Sequence, residues 1–202
     1  MFPFKPILDF PFPPFCQGCG TDGAWLCRTC IRSVPFLVPE AGNIHLAPYA
    51  NPTVRILLTR LKYHSADCLR DSIGELLDRY PDRPEWKPDA IVPVPPSTKR
   101  RRERGIDQAA LIAELLKERW MPDMEIRPLL IRTRHTAPNA LMKDEHARRA
   151  NVANAFRTQE PVSGRILLVD DVFTTGATLE ACRAALLQSG AENVRFFTIA
   201  KG

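Results

Sequence analysis

The stretch that most constrains the fold is Ile166-Leu167-Leu168-Val169-Asp170-Asp171-Val172-Phe173-Thr174-Thr175-Gly176-Ala177-Thr178. Its opening run of four branched apolar residues suits a buried strand and is too short for a buried helix. Two carboxylates close the run. A loop of hydroxyls and glycine follows, and Leu179 to Gln188 has helical character.

The remaining chain supports one architecture. Asn51-Pro52 reads as the cap and first residue of a helix, with Val54, Leu57, Leu58 and Leu61 on one face. A second helix is expected over residues 66–80, with Leu69, Ile73, Leu76 and Leu77 inward, ended by Pro81, Pro84 and Pro88. Ala90 to Val94 is a short buried strand that runs into a loop stiffened by Pro95 and Pro96. Asp107 can cap a helix whose stripe is Ala110, Leu111, Leu115 and Leu116. Leu129-Leu130-Ile131 and Val194 to Ala200 complete the strands. Strands alternating with helices predict an α/β domain with a mainly parallel sheet flanked by helices, over residues 46–202. Residues 31–50 contain Pro35, Pro39, Gly42 and Pro48 and read as a linker or irregular crossing.

The chemistry follows from the order of groups. Asp170 and Asp171 leave a sheet at its carboxyl end, where ligands of such sheets bind. Ionised carboxylates only accept hydrogen bonds, so an adjacent pair suits a vicinal diol such as that of ribose. Thr174, Thr175, Gly176, Ala177 and Thr178 offer hydroxyls and backbone N–H groups at a helix start, which is an anion site. Diol holders beside a phosphate cradle describe a ribose 5-phosphate. A Walker B strand also ends in acids, but the chain has no G-x-x-x-x-G-K-[ST]. Helix capping needs only one acid and leaves the threonines unexplained.

The first 45 residues form a separate module and linker. Cys16-x2-Cys19 and Cys27-x2-Cys30 stand seven residues apart, with Gly18 and Gly20 beside the first pair. Four thiolates so paired suit a structural, tetrahedral Zn²⁺. Two disulfides are the rival reading, and a redox pair a further one. Cys68 and Cys182 lack partners at ligand spacing and read as core residues.

The composition is 45% hydrophobic and 25% charged, and no apolar run reaches the ~20 residues of a membrane span. Residues 1–15 are broken by Asp9 and several prolines and lack a basic start, so they make a poor signal peptide, and a cytoplasmic protein is expected. Of the net charge of +5, the segment Lys99 to Arg104 carries +4, which points to a local anion site. A solvated loop and a nucleic-acid patch are the other readings of that segment. Residues 132–156 are polar and basic and suit a lid over the site. His135 and His146 within it have no assigned role.

Val169 to Thr178 resembles the signature of type I phosphoribosyltransferases. There the two acids hold the ribose hydroxyls of phosphoribosyl pyrophosphate and the Thr/Gly loop binds its 5-phosphate. Nearly the whole chain is similar to the ComF family of competence proteins. That likeness includes the four-cysteine module, Leu61-Lys62-Tyr63, Pro93 to Pro96 followed by Arg101 and Arg104 to Gln108, and Arg148-x-x-Asn151-Val152 with Ala155-Phe156. The resemblance implies a type I phosphoribosyltransferase-like fold and Asp170 and Asp171 as the catalytic acids. It implies Lys62, Arg101 and Arg104 on the pyrophosphate, Mg²⁺ held largely by the substrate, and an acceptor not identified by the sequence. It also implies a place in DNA uptake, with single-stranded DNA or a helicase as partner. Two departures, Ile106-Asp107 where Phe-Asn is common and Asn139 where Gln is common, lie toward the acceptor.

Overall fold

The computed structural model describes residues 15–63, 67–96, 107–133 and 155–202, with the side chains of residues 62, 63, 67 and 68 outside that description. Arg101, Arg104, Asn139, His135, His146 and nearly all of the expected lid lie outside the described residues, as does the side chain of Lys62.

The chain runs α1 (Arg28–Arg32), β1 (Ile44–Pro48), α2 (Pro52–Tyr63), α3 (Asp67–Arg79), β2 (Ala90–Pro93) and α4 (Gln108–Trp120). Then come β3 (Glu125–Ile126), β4 (Leu130–Arg132), β5 (Phe156–Thr158), β6 (Arg165–Phe173), α5 (Ala177–Gln188) and β7 (Asn193–Lys201). Five strands form one sheet in the order β1-β7-β6-β2-β3, and every pairing is parallel. This is the expected α/β class.

Alternation along β6 sorts the two faces. Leu167 and Val169 join a cluster with Leu57 and Leu58 of α2, Leu69, Ile73 and Leu76 of α3, and Ile112 and Leu116 of α4. Ile166 and Leu168 join the other cluster, with Leu179, Cys182 and Leu186 of α5 and with Leu130 and Phe156. A strand buried on both faces reads as a continuous apolar run, which is why Ile166 to Val169 has no polar break. Asn51 accepts from the Val54 N–H at 3.2 Å and Asp107 from the Ala110 N–H at 3.1 Å, so both expected caps form. Asp107 therefore does the capping work that Asn does equally well at such a position.

Two expectations are corrected. Residues 44–48 are not linker but the edge strand β1, with Ile44 to Ala47 buried and Leu37 N–H bonded to Leu46 O at 2.9 Å. The turn before it holds Ala41 at φ 50° and Gly42 at φ 78°, and its proline and glycine signals mask a strand only five residues long. The Leu129–Ile131 strand begins one residue later and does not join the main sheet. As β4 it pairs antiparallel with β5, while Glu125–Ile126 takes the edge beside β2.

The cysteine module packs into the same core. Cys16, Leu26, Ile31 and Val34 share the cluster of α2, α3 and α4. Glu75 of α3 pairs with Arg28 at 3.2 Å and Arg32 at 2.8 Å. Arg79 donates to the carbonyls of Ile31 and Arg32 at 2.9 and 2.8 Å, satisfying acceptors that the end of α1 leaves open. Among the described residues no helix is long and apolar enough to cross a membrane.

Candidate functional site

The order of strands creates a crevice. From β2 the chain passes through α4 to β3, on one side; from β6 it passes through α5 to β7, on the other. The two helices lie on opposite faces of the sheet. Adjacent parallel strands whose connections diverge leave a gap at their carboxyl ends, and such sheets bind ligands there. β2 parts from β6 after Pro93↔Val169, with a last bond from Val94 N–H to Val169 O at 2.9 Å. β6 continues beside β7 to Phe173↔Lys201. Asp170 and Asp171 are therefore the first residues past the parting, and the loop after Val94 leaves from the opposite lip.

Asp170 accepts the Asp171 N–H at 2.8 Å, which turns one carboxylate oxygen back onto the chain and fixes its rotamer. It lies in register with Thr198 of β7, and Thr198 with His45 of β1. His45 Nδ1 and Thr198 Oγ1 are 2.8 Å apart, and the Thr198 hydroxyl donates to Ala200 O at 3.0 Å. The hydroxyl proton is thus committed, so Nδ1–H donates to Thr198 Oγ1. Burial, and next the charge of Lys201, hold the pKa of His45 at about 4, so it is neutral. On the α5 face, burial pushes the Cys182 thiol well up, and the charge of Asp170 adds to this while that of Arg132 opposes it. Cys182 is thereby an inert core residue, as its sequence context suggests.

The loop that follows is seated on Phe173. Gly176 has φ 73° and caps α5 with no side-chain hydrogen bond to its first-turn N–H groups. A Cβ at Gly176 would lie 2.6 Å from Phe173 Cζ. That ring cannot easily yield, because His45 packs against it at 4.8 Å and Phe196 at 6.5 Å between centroids. Gly176→Ala is expected to lower the free energy of unfolding by about 2–4 kcal/mol, from left-handed strain and overpacking together. Urea denaturation measures it, and a loss under ~1 kcal/mol would show that the loop is not wedged on the ring.

The four cysteines converge. Their ligand atoms lie within 4.8 Å of one another, with Cys16–Cys30 at 3.7 Å and Cys19–Cys27 at 3.5 Å. A tetrahedron with Zn–S near 2.3 Å has sulfur–sulfur edges of about 3.8 Å, so the set fits zinc. The thiols are free, which removes the two-disulfide reading. Burial and the three neighbouring sulfurs push the Cys30 thiol up, while the Thr21 hydroxyl and N–H hold exposed Cys19 at about 6. Four sulfurs this close could all be thiolates only with a cation to share their charge. The Cys27 N–H points to Cys16 Sγ at 3.3 Å, and a Cβ at Gly18 would meet Cys30 Sγ at 2.9 Å, so the backbone wraps tightly about the centre. Four protein donors would fill a tetrahedron, so a zinc ion held there would have a structural role with no open position.

No family model matches the chain. It is similar to the DNA utilization protein YhgH of Escherichia coli O157:H7, at 30% identity over 195 residues, 92% of this chain and 83% of that protein. It is also similar to competence protein F of Haemophilus influenzae, at 28% identity over 98% of this chain and 87% of that one. The chain belongs to the ComF family. A third relative, competence protein ComFC of Bacillus subtilis, is 34% identical over 121 residues, 59% of this chain and 46% of that protein. Among solved structures, the ComF chain is similar to a glutamine phosphoribosylpyrophosphate amidotransferase from B. subtilis complexed with ADP and GMP. The TM-score is 0.45 at 18% identity, over 70% of this chain and 30% of that one. A purine phosphoribosyltransferase from Pyrococcus horikoshii gives 0.36 at 16% identity, over 67% of this chain and 82% of that one. Likenesses at that level fix neither ligand nor reaction.

The structure thus brings Asp170, Asp171 and the Thr174–Thr178 loop to one edge and gathers the four cysteines elsewhere. His45, Thr198 and Lys201 also border the first of these. They carry no motif, and only strand register reveals them.

Proposed function

We propose that this ComF-family chain binds phosphoribosyl pyrophosphate and transfers its phosphoribosyl group to an acceptor, in the setting of DNA uptake and utilization. One observation carries the reading: two acids and an anion-cradling loop stand together at the carboxyl edge where β2 and β6 part. The carboxylates of Asp170 and Asp171 accept from the two ribose hydroxyls. Thr174, Thr175, Thr178 and the N–H groups from Gly176 onward take the 5-phosphate. The bond from the anomeric carbon to pyrophosphate breaks, its electrons leave with the pyrophosphate, and the acceptor's nucleophile closes on the same carbon. The two carboxylates stabilise the positive charge that the ribose then carries. Lys62, Arg101 and Arg104 meet the leaving pyrophosphate, with Arg suited to paired phosphate oxygens. Mg²⁺ entering with the substrate would further neutralise that group. The relatives' names support the DNA setting, and we extend it, with a cytoplasmic location, to this chain.

A second reading is a non-catalytic protein that binds single-stranded DNA or a helicase and keeps the sugar-phosphate site as a sensor. A groove of ≈ 350 Å³ between the cysteine module and α2 favours it, lined by Gln17, Pro52, Arg55, Ile56, Thr59 and Arg60 and by no acid. Arg60 lies over Trp25 at 4.4 Å beside it.

Titration of phosphoribosyl pyrophosphate into the zinc-loaded protein with Mg²⁺ tests the first reading. Saturable binding is expected with Kd on the order of 1 μM to 1 mM, the range of ordinary enzyme substrates. No binding with Mg²⁺ present ends that reading. Binding without turnover against any nucleophile, together with salt-sensitive single-stranded DNA binding, would favour the second.

A further inference from the structure

We propose that Lys201 is a ligand-binding residue of the same site, paired with Glu40 at rest and recruited by the 5-phosphate of a bound sugar phosphate. This inference rests on the phosphoribosyl reading above.

The argument starts from a missing charge. The loop Phe173 to Thr178 offers hydroxyls and N–H groups but no cationic side chain. A phosphate monoester brings a charge of about −1.5 to −2 at neutral pH. Helix-terminal dipoles answer part of it, and a nearby cation would answer more.

Lys201 is built into the edge where that cation is wanted. It ends β7 directly opposite Phe173. The Gly202 N–H donates to Phe173 O at 2.9 Å and the Tyr49 N–H to Lys201 O at 2.7 Å, so the backbone is held from both sides. Its Nζ stands 5.9 Å from the centroid of the Phe173 ring. The same ring floors the loop at Gly176. The ammonium and the phosphate cradle thus share one aromatic ring.

The resting partner is replaceable. Lys201 pairs with Glu40, whose side chain is 69% exposed. Ion pairs open to water contribute little, and an exchange for a phosphate dianion loses little in turn. A lysine suits such an exchange, being a compact charge on a flexible stem. His45, which packs against the same Phe173 ring, is buried and keeps its Nδ1–H on Thr198; burial holds its pKa at about 4, so it is neutral. It neither repels the ammonium nor competes for the anion.

The test uses ribose 5-phosphate and ribose as probes on the zinc-loaded full chain. Lys201→Met is expected to weaken ribose 5-phosphate binding about tenfold, the scale of one charge-assisted contact, with Lys201→Arg close to wild type. Glu40→Gln, which frees the lysine, is expected to tighten it about two- to fivefold, a gain that a merely damaged fold cannot produce. Ribose without the phosphate should not distinguish the variants. Unchanged binding in Lys201→Met, or weakening in both Lys201→Met and Glu40→Gln, overturns the inference while the phosphoribosyl reading stands. If the wild type binds no sugar phosphate, that reading falls and this one with it.

Discussion

Cys16→Ser is expected to empty the metal centre and to lower the thermal midpoint by roughly 6–12 °C. The magnitude follows from a loss of at least about 3 kcal/mol, at ~2–4 °C per kcal/mol for a chain of this size. Cys16 is the most buried of the four cysteines that would hold the ion, at 1% exposure, and its sulfur receives the Cys27 N–H. Serine removes a thiolate and leaves that N–H without its acceptor. The damage does not stay in the module. Leu26, Ile31 and Val34 pack in one cluster with Leu69, Ile73 and Leu76, and α1 hangs on α3 through Glu75 and Arg79. A loosened zinc loop therefore exposes the outer side of α3. Metal analysis and differential scanning calorimetry check it. The wild type should carry about one Zn²⁺ per chain, and chelation should reproduce the variant's midpoint. Less than one ion, with all four thiols reactive in the native protein, would dismiss the centre. A Cys16→Ser variant that melts with the wild type would confine the zinc to a detachable module.

What could be read from residues alone depended on how local the determinant was. The cysteine set is local: two Cys-x2-Cys pairs with flanking glycines bring the four sulfurs within reach of one another. The Thr174–Thr178 loop is local too, because Gly176 marks the left-handed turn and β6 announces itself by four apolar residues in a row. β1 was hidden because its five residues are hedged by Pro39, Gly42 and Pro48. Its burial comes from Leu37 and from β7, which are both distant in the reading frame of any short pattern. β4 was legible as a strand but not as part of a separate ribbon, since pairing with β5 links Leu130 to Thr158. The crevice itself has no signature at all. It arises because β2 and β6 become neighbours although some seventy residues separate them, and because α4 and α5 cover opposite faces. Likewise Lys201 is an ordinary charged residue until register sets it opposite Phe173.

The acid pair carries the largest expected effect on ligand binding. Asp170→Asn and Asp171→Asn are each expected to weaken phosphoribosyl pyrophosphate binding by about tenfold to 100-fold, the cost of one charged hydrogen bond to a ribose hydroxyl. Their causes differ. At Asp170, asparagine can still accept the Asp171 N–H through its carbonyl oxygen, so the local turn survives. What changes is the other side-chain atom, where an NH₂ donor replaces the oxygen that would accept a ribose hydroxyl, and the lost charge. At Asp171 no side-chain hydrogen bond to the backbone is seen among the described residues, so the change acts on the ligand contact. Neither change touches the apolar run Ile166–Val169 or the seat of Gly176 on Phe173, so melting midpoints should stay within a few degrees of wild type. The separation of functions gives the sharper check. The 5-phosphate cradle is built by the loop and α5, so inorganic phosphate should bind Asp170→Asn/Asp171→Asn as well as wild type, or better, since two negative charges near the anion are gone. Phosphoribosyl pyrophosphate should bind the double variant at least 100-fold more weakly than wild type. Equal loss of inorganic phosphate and of the sugar phosphate would mean that the acids support the loop rather than the ribose. Retention of both would remove the carboxylates from the site, and with them the physical reason for two adjacent acids at the parting of β2 and β6.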